Sequence, residues 1–136
     1  MADRSFVDTN ILIYDIDAAD ARKQARARTI LDPARAGDLV VSTQVLSEFY
    51  VVATRKLGVE GAIAQSMVDR LIRLPVVVID VPLVMSAISG SRAWGISYWD
   101  ALIVRAAEAA DCRRILSEDL ANGATYGSVR IENPFV

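Results

Sequence analysis

Short apolar runs alternate along this chain with stretches of helical periodicity, and that alternation predicts most of its elements. Ser5-Phe6-Val7-Asp8 reads as a first strand, two strand-favouring residues running into an acid. Asn10 to Tyr14 starts a short helix, broken by the acidic stretch Asp15 to Asp20. Ala21 to Ala36 reads as a helix with Ala25, Ile30 and Leu31 facing inward and Pro33 disturbing its last turn. Its outer face carries Arg22, Lys23, Arg26 and Arg28. After a turn at Gly37-Asp38, Leu39 to Ser42 is a continuous apolar strand. Thr43 opens a helix to about Lys56, with Val45, Phe49 and Val52 on one face and Gly58 at its exit. Gly61 to Leu74 repeats Ile63, Met67, Leu71 and Leu74 at helical spacing, and Pro75 ends it.

Val76 to Asp80 is the clearest candidate for a buried strand. Pro82 sits early in a following helix that runs towards Trp94, where proline is tolerated. Gly95 separates that helix from another over Ser97 to Ala110. Arg114 to Ser117 is a strand, Leu120 to Gly127 a loop and Val129 to Ile131 a last strand. Strands alternating with helices predict an α/β fold, a parallel sheet covered on both faces. With no linker, repeat or low-complexity segment, residues 1–136 read as a single domain. Such sheets bind ligands at the carboxyl ends of their strands.

Composition narrows the chemistry. Of 136 residues, 53% are hydrophobic, enough for a real core. Asp80 interrupts the longest apolar run, so no membrane partner is expected. Met1-Ala2-Asp3-Arg4 carries no apolar signal region, and Cys112 stands alone, which fits a reducing cytoplasm. There is no histidine at all. Ser-His and Cys-His nucleophile systems and histidine zinc sites are thereby excluded. Acid–base or metal chemistry falls to carboxylates, which select hard cations such as Mg2+ or Mn2+. A net charge of −2 gives no global attraction for nucleic acid, so local arginines and a metal would have to supply it.

Four acids lie in apolar company: Asp8, Glu48, Asp100 and Asp119. Each has a plain structural alternative. Asp8 suits a helix N-cap, and Asp119 a turn. Glu48 lies beside the Val45, Val51 and Val52 stripe, where burial of an unpaired charge would cost several kcal/mol unless a cation joins it. Ser97-Tyr98-Trp99-Asp100 matches a capping box, which either accounts for Asp100 or holds its carboxylate at a helix N-terminus. The placement of the four together is more telling than any one of them. All can reach one sheet edge, where close carboxylates repel unless a divalent cation neutralises them.

At these positions the chain resembles the PIN-domain ribonucleases, and most closely the VapC-type toxins of type II toxin–antitoxin systems. The resemblance is carried by Phe6-Val7-Asp8-Thr9-Asn10, Ser47-Glu48-Phe49, Tyr98-Trp99-Asp100-Ala101-Leu102-Ile103 and Leu116-Ser117-Glu118-Asp119-Leu120, with Tyr126 to Ile131 and Asn133-Pro134-Phe135 at the end. It implies a PIN-like three-layer α/β/α fold around a parallel sheet of about five strands. It implies hydrolysis of RNA phosphodiester bonds dependent on Mg2+ or Mn2+. Asp8, Asp100 and Asp119 would hold the metal, and Glu48 a metal-associated water, a second ion or the role of general base. Thr9 and Ser117 would orient carboxylates, and Glu118 stands next to Asp119 as an alternative fourth acid. A cognate antitoxin and a homodimer are implied as partners.

Arg22, Lys23, Arg26 and Arg28 form a basic stripe that either positions RNA or is simply solvated surface. Tyr14, Tyr98 and Trp99 are candidates for stacking on unpaired bases, or for core and dimer contacts. Two other classes remain open on the sequence. One is an aspartyl-phosphate phosphotransferase or phosphatase with Asp8 as nucleophile, although Asn10 stands where a second acid is usual and Lys23 and Lys56 are the only lysines. The other is a non-catalytic binding module, against which the retention of all four acids argues.

Overall fold

The computed structural model describes residues 3–136. Met1 and Ala2, part of the start read for a signal region, lie outside the described residues. Strands β1 (Ser5–Val7), β2 (Leu39–Ser42), β3 (Val76–Val77), β4 (Arg114–Leu116), β5 (Thr125–Tyr126) and β6 (Val129–Glu132) form one sheet in the order β3-β2-β1-β4-β6-β5. All pairings are parallel except β5 with β6. Helices α1 (Thr9–Ile16), α2 (Ala21–Ile30), α3 (Thr43–Arg55) and α4 (Gly61–Leu71) pack in one group. Helices α5 (Val81–Trp94) and α6 (Tyr98–Ala109) pair in a second, with α6 against β2, β4 and β6.

Every residue of β1 and β2 is buried, which a parallel sheet achieves only when both faces are covered. Phe6, Ile11, Leu12, Val45, Phe49, Ile115 and Ile131 form the centre of the core. Burying a side chain of this size contributes roughly 1.5–3 kcal/mol, so the strands are fixed by the packing of their branched residues. Among the described residues no helix is long and apolar enough to cross a membrane.

Several sequence expectations shift. The strand read over Val76 to Asp80 is short and at the sheet edge: β3 covers two residues, Val78 is 67% exposed, and Asp80 instead N-caps α5 through the Leu83 N–H. An edge strand pairs on one side only, so its apolar run is not evidence of burial. The helix read to Ala36 stops at Ile30, because Pro33 has no N–H to continue the ladder and opens a 3-10 segment, Pro33–Asp38. Ala25 is exposed, and Ala27 and Ile30 face the core. Of the apolar repeat, Met67, Leu71 and Leu74 pack against the core as their spacing predicts, but Ile63 is half exposed and Ala64 beside it is buried. The sheet has six strands rather than five, because a hairpin lies inside the segment read as loop. Tyr126 pairs with Val129 across Gly127-Ser128, and Gly127 has φ 58°. Left-handed backbone of this kind favours glycine, and this tight turn requires it.

Candidate active site

The strand order places a crevice before any side chain is considered. From β1 the chain goes to β2 on one side, and β4 arrives on the other. Segments leaving β1 and β4 therefore diverge, and the gap between them at the carboxyl ends is where open α/β sheets take ligands. Val7 is in register with Leu116, so the next residues, Asp8 and Ser117, become neighbours. The Ser117 hydroxyl donates to Asp8 Oδ2 at 2.7 Å.

Asp8 is at once the N-cap of α1 and a member of this cluster. Its Oδ1 accepts from the Thr9 N–H at 2.7 Å, so the capping alternative is part of the architecture. It is 8% exposed. Burial is the main reason that its carboxyl is pushed up to about 6; the Ser117 and Thr9 hydrogen bonds pull the other way, and the charges of Glu48 and Asp119 add to the rise.

Glu48 projects from α3 towards the same place. Its Oε2 accepts from the Thr9 hydroxyl at 2.8 Å and its Oε1 from the Gln44 amide at 3.1 Å, one turn earlier on the helix. Asp119 lies beyond β4, and its Oδ2 accepts from the Asn10 amide at 3.2 Å. That amide also reaches Asp8 Oδ2 at 3.2 Å, and its carbonyl accepts from the Glu118 N–H at 3.1 Å. Ser117 closes the loop by accepting from the Asp119 and Leu120 N–H groups. Asp8, Glu48 and Asp119 thus belong to one hydrogen-bonded network with Thr9, Asn10 and Ser117.

Asp100 stands differently. Ser97 caps α6 by accepting from the Asp100 N–H at 3.1 Å, which is half of the capping box. The reciprocal half is not formed, and the carboxylate makes no hydrogen bond among the described residues. Its only tie to the network is indirect, through the Trp99 carbonyl, which accepts from the Gln44 amide at 3.4 Å. Glu118 turns away from the network. Burial raises its carboxyl, but hydrogen bonds from Lys23 and Tyr14, the latter 2.6 Å, outweigh burial and hold it below the usual carboxylate range. Of the two adjacent acids, geometry therefore sides with Asp119.

A cavity of about 630 Å³ is lined by Thr9, Asn10, Tyr14, Glu48, Glu118 and Asp119, among others. A second hollow of about 420 Å³ lies between α1 and α4, with Leu12, Ile16, Phe49 and Met67 as its apolar lining and Asp15, Asp32, Arg70 and Arg73 as charged residues around it. The basic stripe is largely consumed by the fold. Arg22 grips the Phe135 carbonyl, Arg26 that of Pro134, and Arg28 pairs with Asp15.

The donor set suits a hard cation. Among the described residues no lysine or arginine pairs with Asp8, Glu48, Asp100 or Asp119. Equally, no three acids among them stand close enough to form a complete cation cage. Mg2+ does not need one, since it keeps several waters and commonly takes only one or two carboxylates from the protein. The sequence does not single out Gln44, which holds Glu48, or the bridge that Asn10 makes from Asp8 to Asp119. The signals are the positions of Asn10, two residues after Asp8, and of Gln44, one helical turn before Glu48.

The sequence matches the PIN domain family over residues 5–121, and the chain belongs to that family. Comparison with curated proteins gives no match. Among solved structures, VapC20 of Mycobacterium tuberculosis, described as a sarcin–ricin loop cleaving toxin, is 20% identical with a TM-score of 0.65, covering 85% of this chain and 91% of its own. DNA-bound VapBC from Salmonella typhimurium is 20% identical with a TM-score of 0.67, over 98% of this chain and 99% of that one. A toxin–antitoxin complex from Klebsiella pneumoniae is 17% identical with a TM-score of 0.68, over 96% and 97%. At these identities the likeness is one of fold.

Proposed function

We propose that this protein is a metal-dependent endoribonuclease, the toxin of a type II toxin–antitoxin pair, hydrolysing RNA phosphodiester bonds with Mg2+ or Mn2+. The observation that carries this reading is the unpaired acidic network at the β1–β4 switch point, in a chain without histidine. Asp8 with Asp100 or Asp119 would hold the ion, the remaining acid acting through a water. A bound divalent ion supplies charge relief on the phosphate and eases ionisation of water.

The chain's own residues do the rest. Thr9 and Gln44 fix both oxygens of Glu48, which keeps it available to take a proton from the attacking water. The water oxygen bonds to phosphorus as the bond to the leaving ribose oxygen breaks, and that oxygen takes a proton from solvent water. Ser117 and Asn10 set the carboxylates of Asp8 and Asp119 in fixed rotamers, so no reorganisation is needed at the moment of reaction. The aspartyl-nucleophile alternative is disfavoured, because Asn10 stands where its second acid is usual and Lys23 is committed to Glu118.

The solved toxin–antitoxin complexes of similar fold support an antitoxin as partner; a homodimer as the working form and the cytoplasm as the place of action belong to the same proposal. The test is direct. Purified protein freed of any partner should cut single-stranded or loop RNA with Mg2+ or Mn2+ and stop with chelator. Asp8→Asn and Asp100→Asn should each lose activity while staying folded; normal cutting by both would refute the assignment.

A further inference from the structure

A second groove shares Glu48 with the acidic cavity. It has a volume of about 520 Å³ and is lined by Gln44, Glu48, Ile79, Tyr98, Trp99 and Leu102, among others. Trp99 is 62% exposed, an unusual position for so large an aromatic side chain. It is nonetheless braced. Its ring meets that of Tyr98 edge-on at 5.0 Å, and its carbonyl accepts from Gln44.

Gln44 carries the second signal. Its amide nitrogen serves two acceptors, Glu48 Oε1 and the Trp99 carbonyl. Turning the amide over would set its oxygen against both, so this orientation is fixed by chemistry. Its oxygen is then buried and has no donor among the described residues. A buried acceptor without a partner is uncommon and calls for an explanation. The two donor contacts to Glu48 and to the Trp99 carbonyl hold Gln44 in this orientation despite that cost, and a braced, exposed aromatic face beside the carboxylates is what an unpaired nucleobase stacks on.

We propose that this groove is a nucleobase subsite, in which an unpaired base flanking the cleaved phosphate stacks on Trp99, whose backbone Gln44 holds beside Glu48. The inference rests on the nuclease reading for its substrate. RNA is favoured over a protein partner because Glu48 walls both hollows. A strand whose phosphate reaches the carboxylates has neighbouring nucleotides that must run past that residue.

Trp94 and Trp99 are the two tryptophans of the chain. A protein carrying Asp8→Asn and Trp94→Phe therefore has Trp99 as its sole tryptophan and does not consume the probe. Titration with a six-nucleotide single-stranded RNA of mixed sequence in Mg2+ should quench its emission saturably. Trp99→Ala in the Asp8→Asn background should weaken binding of the same RNA by about 5- to 100-fold, the span of base–aromatic stacking. Trp99→Phe should restore most of it. Unchanged affinity in a folded Trp99→Ala protein, or emission unmoved by RNA, overturns the proposal. So does a Trp99→Ala protein that changes from dimer to monomer in sedimentation while binding RNA as before, since the groove would then belong to a contact between copies. Failure of the nuclease reading looks different: RNA that docks on Trp99 but is never cut by wild-type protein with either metal.

Discussion

Asn10 donates a 3.2 Å hydrogen bond to Asp119 across 109 residues of sequence, and the same nitrogen lies 3.2 Å from Asp8. One neutral amide thus spans two acids from different strands, adding donors without adding charge. Asn10→Ala should lower cation affinity and RNA cleavage by about 10- to 100-fold, the usual effect of losing a residue that orients metal ligands. Asn10→Asp should be worse, because it places another negative charge between the two. Calorimetric titration of Mn2+ into each variant checks both.

The raised carboxyl of Asp8 has a consequence for stability. Its ordinary value is 3.8 and its folded value about 6, so between these the folded state binds more protons than the unfolded one. Stability of the cation-free protein should therefore fall as pH rises from about 4 to about 6. The full effect is on the order of 3 kcal/mol. Urea unfolding at pH 4.5 and pH 7 in chelator should show this loss, and Asp8→Asn should flatten it. Saturating Mn2+ should offset it at pH 7 by favouring the charged form.

Glu118 and Asp119 are adjacent, yet their surroundings separate them. Tyr14 and Lys23 occupy the two Glu118 oxygens, and Lys23 lies over the Tyr14 and Phe135 rings at 5.0 and 5.7 Å. Glu118→Gln should leave Mn2+ affinity unchanged, whereas Asp119→Asn should lower it. Reversal of that order in the same titration would move the fourth acid to Glu118.

Gly127 anchors the hairpin that reads as loop. With φ 58° any side chain there is strained by the backbone, and the Glu108 carboxylate, 2.5 Å from an added Cβ, must also swing aside. Gly127→Ala should destabilise the protein by about 1–3 kcal/mol, measured by chemical denaturation, with cleavage specific activity retained at low temperature.

What could be read beforehand follows from which signals are local. Asp8 at the end of an apolar strand, Ser97 before Asp100 and Pro82 at the start of α5 announce themselves within a few residues, and the elements around them fall where expected. The edge position of β3 depends on which strands lie beside it, which Val76 to Asp80 cannot express. β5 is two residues long and exists only through pairing with β6. The acids were legible as candidates, but the groups that hold them were less so. Asn10 joins Asp8 to Asp119 across 109 residues and Gln44 reaches the Trp99 carbonyl across 55, and no periodicity records such bonds. The basic stripe was legible as charge, but its use in holding the segment Pro134–Phe135 was not.

Function at this site requires a divalent ion seated among these acids. Crystals soaked in Mn2+ and recorded at a wavelength where manganese scatters anomalously would locate it. The expected result is a peak ligated by Asp8 together with Asp100 or Asp119, lost in Asp8→Asn crystals. A wild-type map with no peak at the β1–β4 crevice, at Mn2+ concentrations that support RNA cleavage, would contradict it.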